Sequence, residues 1–245
     1  MRQVPTHATL AFTSYLILGS GRLSRHLQAY FQFEALPFQV WSRADGPETL
    51  VSKALEASHI LFALPDSQIE AFAQAHRTLF DAKSCVHFSG ALVTTLMPSA
   101  HPLMTFPDDL YDRETYLHLP FVLEKGRNTF TNLLPGLKNP AFEIDPALKT
   151  RYHALCVMSG NFTVLLWEKV FREFEQSFGL PKQILLPYLL QTTENLALSK
   201  TSVLTGPLVR NDHETIKKHL VELGDDPFAS IYRSFVHAYQ SGGFR

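Results

Sequence analysis

The residues best suited to hold a ligand lie in a short glycine-containing turn near the start of the chain. The turn, Gly19-Ser20-Gly21, follows an apolar run at 15–18 and precedes a helical pattern. Gly19 can adopt backbone angles closed to other residues, and Gly21 lets the backbone approach a bulky anion. A helix N-terminus beginning there offers free N–H groups and a positive dipole end, which suit a pyrophosphate. The Gly-x-Gly-x-x-Ser pattern between strand and helix therefore predicts a dinucleotide site. The contacts expected in this turn are Gly19, Ser20, Gly21, Arg22 and Leu23.

A second candidate contact with the cofactor is Ser42-Arg43, which follows the next apolar run. At this position an acidic residue holds the ribose 2′-hydroxyl of NAD, whereas an Arg can hold the 2′-phosphate of NADP. Asp45 is close but lies beyond the Arg, so the sequence favours NADP(H). The alternative is that Arg43 is an ordinary solvated surface residue. Leu64-Pro65, after a third apolar run, is expected to complete the cofactor site.

Other polar side chains follow apolar runs and are candidates for the chemistry itself. His87 and His101 lie by strand ends, and imidazole titrates near neutrality; the alternative for each is a hydrogen-bonded core histidine. Ser89 either binds a substrate carboxylate or caps a turn. Arg210 suits the carboxylate of a 2-oxo or imino acid, or else pairs with Asp212 to hold the loop.

The elements that must position these residues alternate between strand and helix. Strands are predicted at Tyr15–Leu18, Pro37–Trp41, His59–Leu64 and Ser84–Phe88, with helices between them. This order predicts a parallel sheet with helices on both faces, and ligands lie beyond the carboxyl ends of such strands. Further strands are predicted at 101–106, 116–123 and 142–144, and only helices after 145. We therefore predict an α/β domain over 1–145 and a helical domain over 146–245.

Composition limits the classes of function. The chain has 245 residues, 45% of them hydrophobic, a net charge of −1 and two cysteines without metal-ligand spacing. A near-neutral chain gives no reason to expect nucleic acid as a partner. The sequence has no run of eighteen apolar residues and no signal-peptide pattern. We therefore expect a cytoplasmic protein that does not associate with a membrane and does not bind a metal ion.

Several motifs together resemble a family of small bacterial oxidoreductases with a Rossmann-like domain followed by a domain of unknown function, DUF2520. The resemblance covers nearly the whole chain after Ser14. It is carried by the opening glycine turn, His87-x-Ser89-Gly90-Ala91-Leu92, His101-Pro102-Leu103 with Thr105-Phe106, Tyr152-His153-Ala154, Ser159-x-Asn161-Phe162, and Leu204-Thr205-Gly206-Pro207 with Arg210, Asp212 and His219-Leu220. Asn211 and Lys125 depart from the family pattern, which usually has Gly at the first position and often has Gly-Asp around the second.

The resemblance implies an NADPH-dependent reductase of a small 2-oxo acid, with ketopantoate the most concrete substrate. In wider kin, a Lys one turn before an Asn supports hydride transfer. Asn161 matches that Asn, but Val157 and Met158 occupy the preceding turn. We therefore expect Asn161 to polarise the substrate oxygen and His101 to donate the proton, with His87 as the alternative donor, because imidazole can hold a proton near neutrality.

Two other functions remain open at this point. One is an imine reductase of the pyrroline-5-carboxylate type, and the other is an NADP-binding sensor or partner protein without turnover, which the missing Lys allows. The kin commonly pair through their helical domains, so we expect a homodimer. Four apolar residues either form the dimer interface or belong to the internal core: Phe171, Phe174, Phe178 and Leu180.

Overall fold

A computed structural model describes residues 13–242, and its first sheet is a parallel one. Its strands are β1 (Tyr15–Leu18), β2 (Phe38–Trp41), β3 (His59–Phe62) and β4 (Ser84–His87), in the spatial order β2-β1-β3-β4. The register aligns Leu18 with Trp41 and Phe62, and Phe62 with His87. The carboxyl ends of the strands consequently lie side by side, and the four predicted strands are confirmed with small changes at their ends.

The helices that connect these strands use the expected sequence signals. They are α1 (Arg22–Phe33), α2 (Pro47–Glu56), α3 (Asp66–Ala75) and the short α4 (Arg77–Phe80). Pro47 occupies the first turn of α2, where its missing N–H has no cost. The sheet is covered on both faces: Tyr15 and Ile17 face one apolar cluster, while Leu16 and Leu18 face another. This alternation is that of a doubly covered parallel sheet.

A second, smaller sheet follows, and here one prediction is wrong. Its strands β5 (Ala100–Pro102), β6 (Phe121–Glu124) and β7 (Ala141–Ile144) lie in that order, with β5 antiparallel to β6. The strand predicted over 116–123 instead begins with a helix, α5 (Arg113–Leu117), because Asp112 caps it by accepting a hydrogen bond from the Thr115 N–H. The short helix α6 (Phe130–Leu133) precedes β7.

The remainder of the chain is helical, as predicted. It contains α7 (Lys149–Ser159), α8 (Asn161–Gln176), α9 (Leu186–Leu198), α10 (His213–Leu223) and α11 (Phe228–Gln240). By its internal contacts the chain divides into two units between Trp167 and Glu168, inside α8, while the domain boundary at 145 stays a prediction. The helix α7 is tied to the sheet unit by Lys149, whose side chain binds Glu124 of β6.

One helical stretch in the described residues has the length and composition of a membrane span. It runs over Pro146–Gln176, 31 residues, and its most apolar window has a mean hydropathy of 1.2. That window is not buried within the chain. These helices therefore carry apolar surface that the chain itself does not bury.

Candidate functional site

The glycine turn has the geometry of a phosphate-binding loop. Gly19 has a φ of +121°, and a Cβ there would collide with the carbonyl oxygen of Ala63, so only glycine fits. Ser24 donates a hydrogen bond from Oγ to the Gly19 carbonyl at 2.7 Å, which ties α1 to the turn. Gly21 caps α1 without any side-chain partner, and a Cβ there would meet nothing within 4 Å. Free N–H groups at an open helix N-terminus are what a pyrophosphate requires.

The residues after β2 are arranged in favour of NADP over NAD. Asp45 Oδ2 accepts hydrogen bonds from the Ser42 N–H at 2.7 Å and the Ser42 hydroxyl at 3.0 Å. These hydrogen bonds hold the pKa of the Asp45 carboxyl below its usual value. Arg43 is exposed, and its only hydrogen bond within the described residues runs from Nη2 to Gln68 Oε1 at 2.7 Å. The carboxylate is thus engaged in the turn, while the guanidinium remains accessible to a phosphate.

The first turn of α1 carries two arginines that hold a neighbouring loop. Arg22 Nε lies 3.3 Å and Arg25 Nη2 lies 2.6 Å from Asp108 Oδ1. All three side chains are largely exposed, so the pairs are weak by themselves. They join the glycine-turn helix to the loop after β5, which also forms one wall of the cavity described next.

A cavity of about 240 Å³ brings together two of the predicted catalytic residues, His101 and Asn161. Its walls come from β5, the loop that follows it, α7 and the start of α8. All of its lining residues belong to the first unit. They are His101, Leu103, Met104, Thr105, His153, Cys156, Val157, Ser159, Gly160 and Asn161.

Two imidazoles meet in this cavity. His101 and His153 pack edge to face with ring centroids 5.5 Å apart, and His101 Nδ1 hydrogen-bonds the Tyr152 hydroxyl at 2.7 Å. His153 Nδ1 is buried and has no hydrogen-bond partner among the described residues. A Cβ at Gly90 would collide with His153 Nδ1 and lie 2.9 Å from His101 Nε2. Gly90 is therefore required for the close approach of both rings to the turn after β4.

The protonation state of His101 differs from the expectation. Burial, assisted by the nearby His153 and Lys149, lowers the pKa of His101 to about 4. The imidazole is consequently neutral at pH 7, and the expectation that it carries a stored proton near neutrality is wrong for this environment. A neutral imidazole still has one N–H, and because Nδ1 is engaged with the Tyr152 hydroxyl, Nε2 is the ring nitrogen left for a substrate.

Asn161 is the first residue of α8, directly after Gly160. Gly160 keeps the helical hydrogen bonding, because its N–H donates to the Cys156 carbonyl at 2.9 Å and its carbonyl accepts from the Val164 N–H at 3.1 Å. The Asn161 side chain is exposed and lines the cavity. This access to the cavity supports the role of a hydrogen-bond donor to a substrate.

The structure contradicts a catalytic role for His87. Its side chain is fully buried and does not line the cavity. Its Nδ1 accepts a hydrogen bond from the Ser89 N–H at 3.3 Å, while Nε2 has no partner within the part of the chain that is described. Burial, together with Lys149 and Arg127, lowers the pKa of His87 to about 3. The alternative of a core histidine is therefore the correct one, because a group without access cannot exchange protons with substrate.

Ser89 is also misassigned as a carboxylate-binding residue. Its hydroxyl donates to Asp66 Oδ2 at 2.6 Å and accepts from the Ala91 and Leu92 N–H groups at 3.2 and 2.9 Å. The donor is thus occupied, and the adjacent carboxylate would repel a second one. Asp66 is the first residue of α3, and its side chain stabilises this turn. Ser89 caps the turn after β4, which was the alternative.

A buried network of charged side chains holds the elements that form the cavity. Lys149 is 2% exposed and donates to Glu124 Oε1 at 2.9 Å, to Ser99 Oγ at 2.7 Å and to the Leu92 carbonyl. Arg127 binds the other oxygen of Glu124 at 3.0 Å. Burial lowers the pKa of Lys149, while Glu124 opposes that effect. These bonds fix the turn after β4 relative to β5 and β6, and hence fix Gly90 and His101.

Arg210 lies in the second unit, in the segment between α9 and α10. Asp212 caps α10 by accepting from the Thr215 N–H at 3.0 Å. The hydrogen bonds from the Thr215 N–H and hydroxyl lower the pKa of the Asp212 carboxyl, and the charge of Arg210 adds to this effect. Asn211 has a φ of +53°, a conformation that Asn tolerates better than other non-glycine residues, which explains how it replaces the usual Gly. A substrate contact for Arg210 stays a prediction.

Three residues of the site were not singled out from the sequence. They are Tyr152, His153 and Cys156, to which the sequence assigned no chemical role. Their spacing on α7 could have indicated a shared face, since residues three and four apart are neighbours on a helix. Their contact with His101 depends on how α7 packs against β5, and no local sequence pattern reveals that packing. The described residues contain no group of three or more His, Cys, Asp or Glu side chains placed for a metal ion.

Comparison with known proteins gives a family match and a fold. Residues 122–239 match the family model described as "Domain of unknown function (DUF2520)", which confirms the recognition of this domain. The match begins in β6, upstream of the predicted boundary at 145. No curated protein sequence matches the chain.

Several solved structures share this fold. A Bacteroides fragilis protein described as a "putative NADP oxidoreductase" has a TM-score of 0.74 at 22% identity, over 95% of this chain and 100% of its own. An imine reductase from Streptomyces aurantiacus gives 0.64 at 12% identity, over 94% of both chains. A pyrroline carboxylate reductase from Plasmodium falciparum, solved with NADP bound, gives 0.57 at 13% identity, over 93% and 95%. The Rossmann-like fold with a helical continuation is thereby confirmed.

Proposed function

We propose that this chain is an NADPH-dependent reductase of a small polarised double bond. The observation that carries the proposal is the joint presence of an uncapped glycine-turn helix, an accessible Arg43 beside an engaged Asp45, and a cavity lined by His101 and Asn161. Gly19–Leu23 would hold the pyrophosphate, Ser42-Arg43 the 2′-phosphate, and Leu64-Pro65 the adjoining surface. NADPH, when bound, supplies a hydride to the substrate carbon. Several relatives with this fold are described as acting with NADP, which supports the same assignment.

The chain's own residues have to supply the proton and polarise the bond. Asn161 is exposed in the cavity and its amide can donate a hydrogen bond to a carbonyl oxygen. His101 has Nε2 as its available donor atom, while its Nδ1 is held by Tyr152. His153 also lines the cavity, and its Nδ1 is buried there without a hydrogen-bond partner in the described residues. Leu103, Met104 and Val157 give the cavity an apolar wall.

For the substrate, we propose a small 2-oxo acid, with ketopantoate as the specific candidate. A carbonyl needs both a polarising donor and a proton donor, and Asn161 and His101 provide these two functions. None of the ten lining residues is Lys, Arg, Asp or Glu. A carboxylate would therefore need a cation from outside these ten lining residues.

The second candidate is reduction of an imine. It is favoured by the uncharged cavity lining, which suits a neutral ring with one polar nitrogen, and by relatives described as an imine reductase and a pyrroline carboxylate reductase. This substrate makes a smaller demand on the proton donor, since imines are often protonated before they react. His101→Gln would then affect turnover less than Asn161→Ala.

The experiment follows NADPH consumption with matched panels of 2-oxo acids, simple ketones and cyclic imines. The proposal predicts turnover with at least one panel and a loss of roughly 10²–10⁴-fold in His101→Gln on carbonyl substrates, the range for losing a general acid. His219→Gln, in the second unit, is the matched control and should retain the wild-type rate. NADPH binding without turnover on any panel would instead indicate a sensor or partner protein.

We also propose that a second copy of the chain covers the helical surface. Most large exposed apolar side chains of the described residues lie in the helical part, among them Leu190 at 65%, Leu198 at 75% and Phe178 at 63%, whereas Leu185 and Ile216 are among its few buried ones. Exposed apolar surface on this scale marks an interface. Light scattering should give the mass of a dimer, and Leu190→Glu should shift it towards monomer. A monomeric wild type, or one that sediments with neutral vesicles, would contradict this proposal.

A further inference from the structure

We propose that Gln68 binds the 2′-phosphate of NADPH together with Arg43: its Oε1 holds the guanidinium in place, while its Nε2 donates to the same phosphate. This inference rests on the NADP-dependent function proposed above and adds to it a residue that determines the choice between NADPH and NADH. Gln68 is the third residue of α3, which follows β3, whereas Arg43 follows β2. Both residues belong to the first unit.

The two side chains come from the strand ends on either side of the glycine turn. In the spatial order β2-β1-β3, the strands that precede Arg43 and Gln68 flank β1, which leads into Gly19. The last residues of the three strands are aligned in register. Arg43 Nη2 donates to Gln68 Oε1 at 2.7 Å. This hydrogen bond therefore links the segments that flank the expected pyrophosphate site.

The same hydrogen bond determines which atom of the Gln68 amide remains available. A guanidinium has only N–H donors, so the atom that it contacts must be the amide oxygen. The amide nitrogen Nε2 carries two N–H groups and makes no hydrogen bond within the described residues. Arg43 is exposed and Gln68 is partly exposed. One anion can therefore accept from the guanidinium and from Nε2 at the same time.

Two other donors beside Arg43 are already engaged. Ser42 donates its N–H and its hydroxyl to Asp45 Oδ2, so Arg43 is the member of the Ser42-Arg43 pair with donors to spare. Lys53 Nζ donates to a backbone carbonyl of β2 at 2.6 Å. A phosphate monoester has three strong acceptor oxygens and almost two negative charges at pH 7, more than one guanidinium satisfies. The Gln68 amide is placed to supply the additional hydrogen bond.

The variant Gln68→Glu separates the two functions of this side chain. A carboxylate keeps an acceptor for Arg43 but replaces the Nε2 donor with a second oxygen, which repels a phosphate. NADH has a hydroxyl at the same ribose position and carries no charge there to be repelled. An acidic residue in the first turn of a helix is favoured by the helix dipole, so we expect the variant to fold.

The first test titrates wild type and variants with NADPH and with NADH. Gln68→Glu should weaken NADPH binding on the order of 10²-fold, because a hydrogen bond to a charged group is lost and a repulsion is added. Gln68→Met, of similar length but without hydrogen-bonding groups, should weaken it about tenfold. Both variants should change NADH affinity by less than about threefold, because the 2′-phosphate contact is not made there.

The matched control is Gln74→Glu, which makes the same change of charge on the same helix. Gln74 is exposed and lies six residues after Gln68, about 9 Å further along the helix axis. This separation is about one Debye length at physiological salt, so the added charge is largely screened. The control should change the affinity for either nucleotide by less than about threefold.

The second test uses adenosine 2′,5′-bisphosphate and 5′-AMP, which differ only in the 2′-phosphate. Wild type should bind the bisphosphate more tightly, and Gln68→Glu should remove most of that difference. An unchanged difference, or equal losses of NADPH and NADH in the first test, would overturn the role of Gln68 alone. A wild type that binds none of the four ligands would overturn the proposed cofactor as well. Neither test involves turnover, so both remain decisive for a protein that binds NADPH without reducing a substrate.

Discussion

The buried His87 should make the protein sensitive to acid, and the size of this effect follows from its surroundings. In the folded chain the pKa of His87 is lowered to about 3 by burial and by the charges of Lys149 and Arg127. In the unfolded chain it returns to the ordinary value of about 6.5. Between these values the unfolded state binds the proton and the folded state does not, so stability falls as the pH is lowered.

The expected magnitude is obtained from one pKa unit being worth about 1.4 kcal/mol. A pH of 5 is about 1.5 units below the pKa of the imidazole in the unfolded chain. His87 alone should therefore lower the free energy of unfolding by about 2 kcal/mol relative to pH 7.5. His101, whose pKa is lowered to about 4, should add a similar loss over the same interval.

Urea denaturation at pH 7.5 and pH 5 measures these losses. His87→Leu should remove about 2 kcal/mol of the difference between the two pH values, whatever it does to the stability at pH 7.5. Val86→Ala is the control: Val86 is a fully buried neighbour on β4, and its truncation changes packing but no protonation. It should lower stability equally at both pH values. If His87→Leu loses as much stability on acidification as wild type, the buried neutral imidazole is refuted.

Three further predictions concern other parts of the chain. Arg43→Ala should weaken NADPH binding by about 1–3 kcal/mol in a titration and leave NADH nearly unchanged; equal losses would remove Arg43 from the 2′-phosphate. Lys149→Met should destabilise the fold by about 3–5 kcal/mol in urea, because Glu124 loses one buried partner, whereas the double variant with Glu124→Leu should recover part of that loss. Asn161→Ala should lower kcat more than it weakens NADPH binding, and an unchanged kcat would place the polarising donor elsewhere.

The part of the fold that the sequence predicts is the part specified by local patterns. The apolar run of β1, the glycine turn and the amphipathic α1 are adjacent in the chain, so their geometry follows from short-range rules. Tyr116 shows where these rules fail. Its aromatic ring favours a strand, but the Asp112 cap and a hydrogen bond of 2.8 Å from its hydroxyl to His26 Nδ1 place it in α5. A partner 90 residues away cannot be inferred from local propensity.

The candidate site also contains some residues that local patterns predict and others that depend on partners distant in sequence. The strand ends at Gly19 and Arg43 follow from topology, since parallel strands bring their carboxyl ends together. The role of Ser89 could not be chosen between its two alternatives, because its partner Asp66 is distant in sequence. His153 carries no distinguishing signal in the sequence, and its role emerges only where α7 lies against β5 and leaves Nδ1 without a partner in the described chain.

The most direct test of NADPH binding at the glycine turn is a calorimetric titration of the wild-type protein. NADPH and NADH are titrated separately under identical conditions. An open helix N-terminus at Gly21, an engaged Asp45 and an accessible Arg43 predict binding of both cofactors through the shared pyrophosphate. NADPH should bind more tightly by at least tenfold, which corresponds to about 1.4 kcal/mol. Absence of binding by either nucleotide, or tighter binding of NADH, would contradict the account.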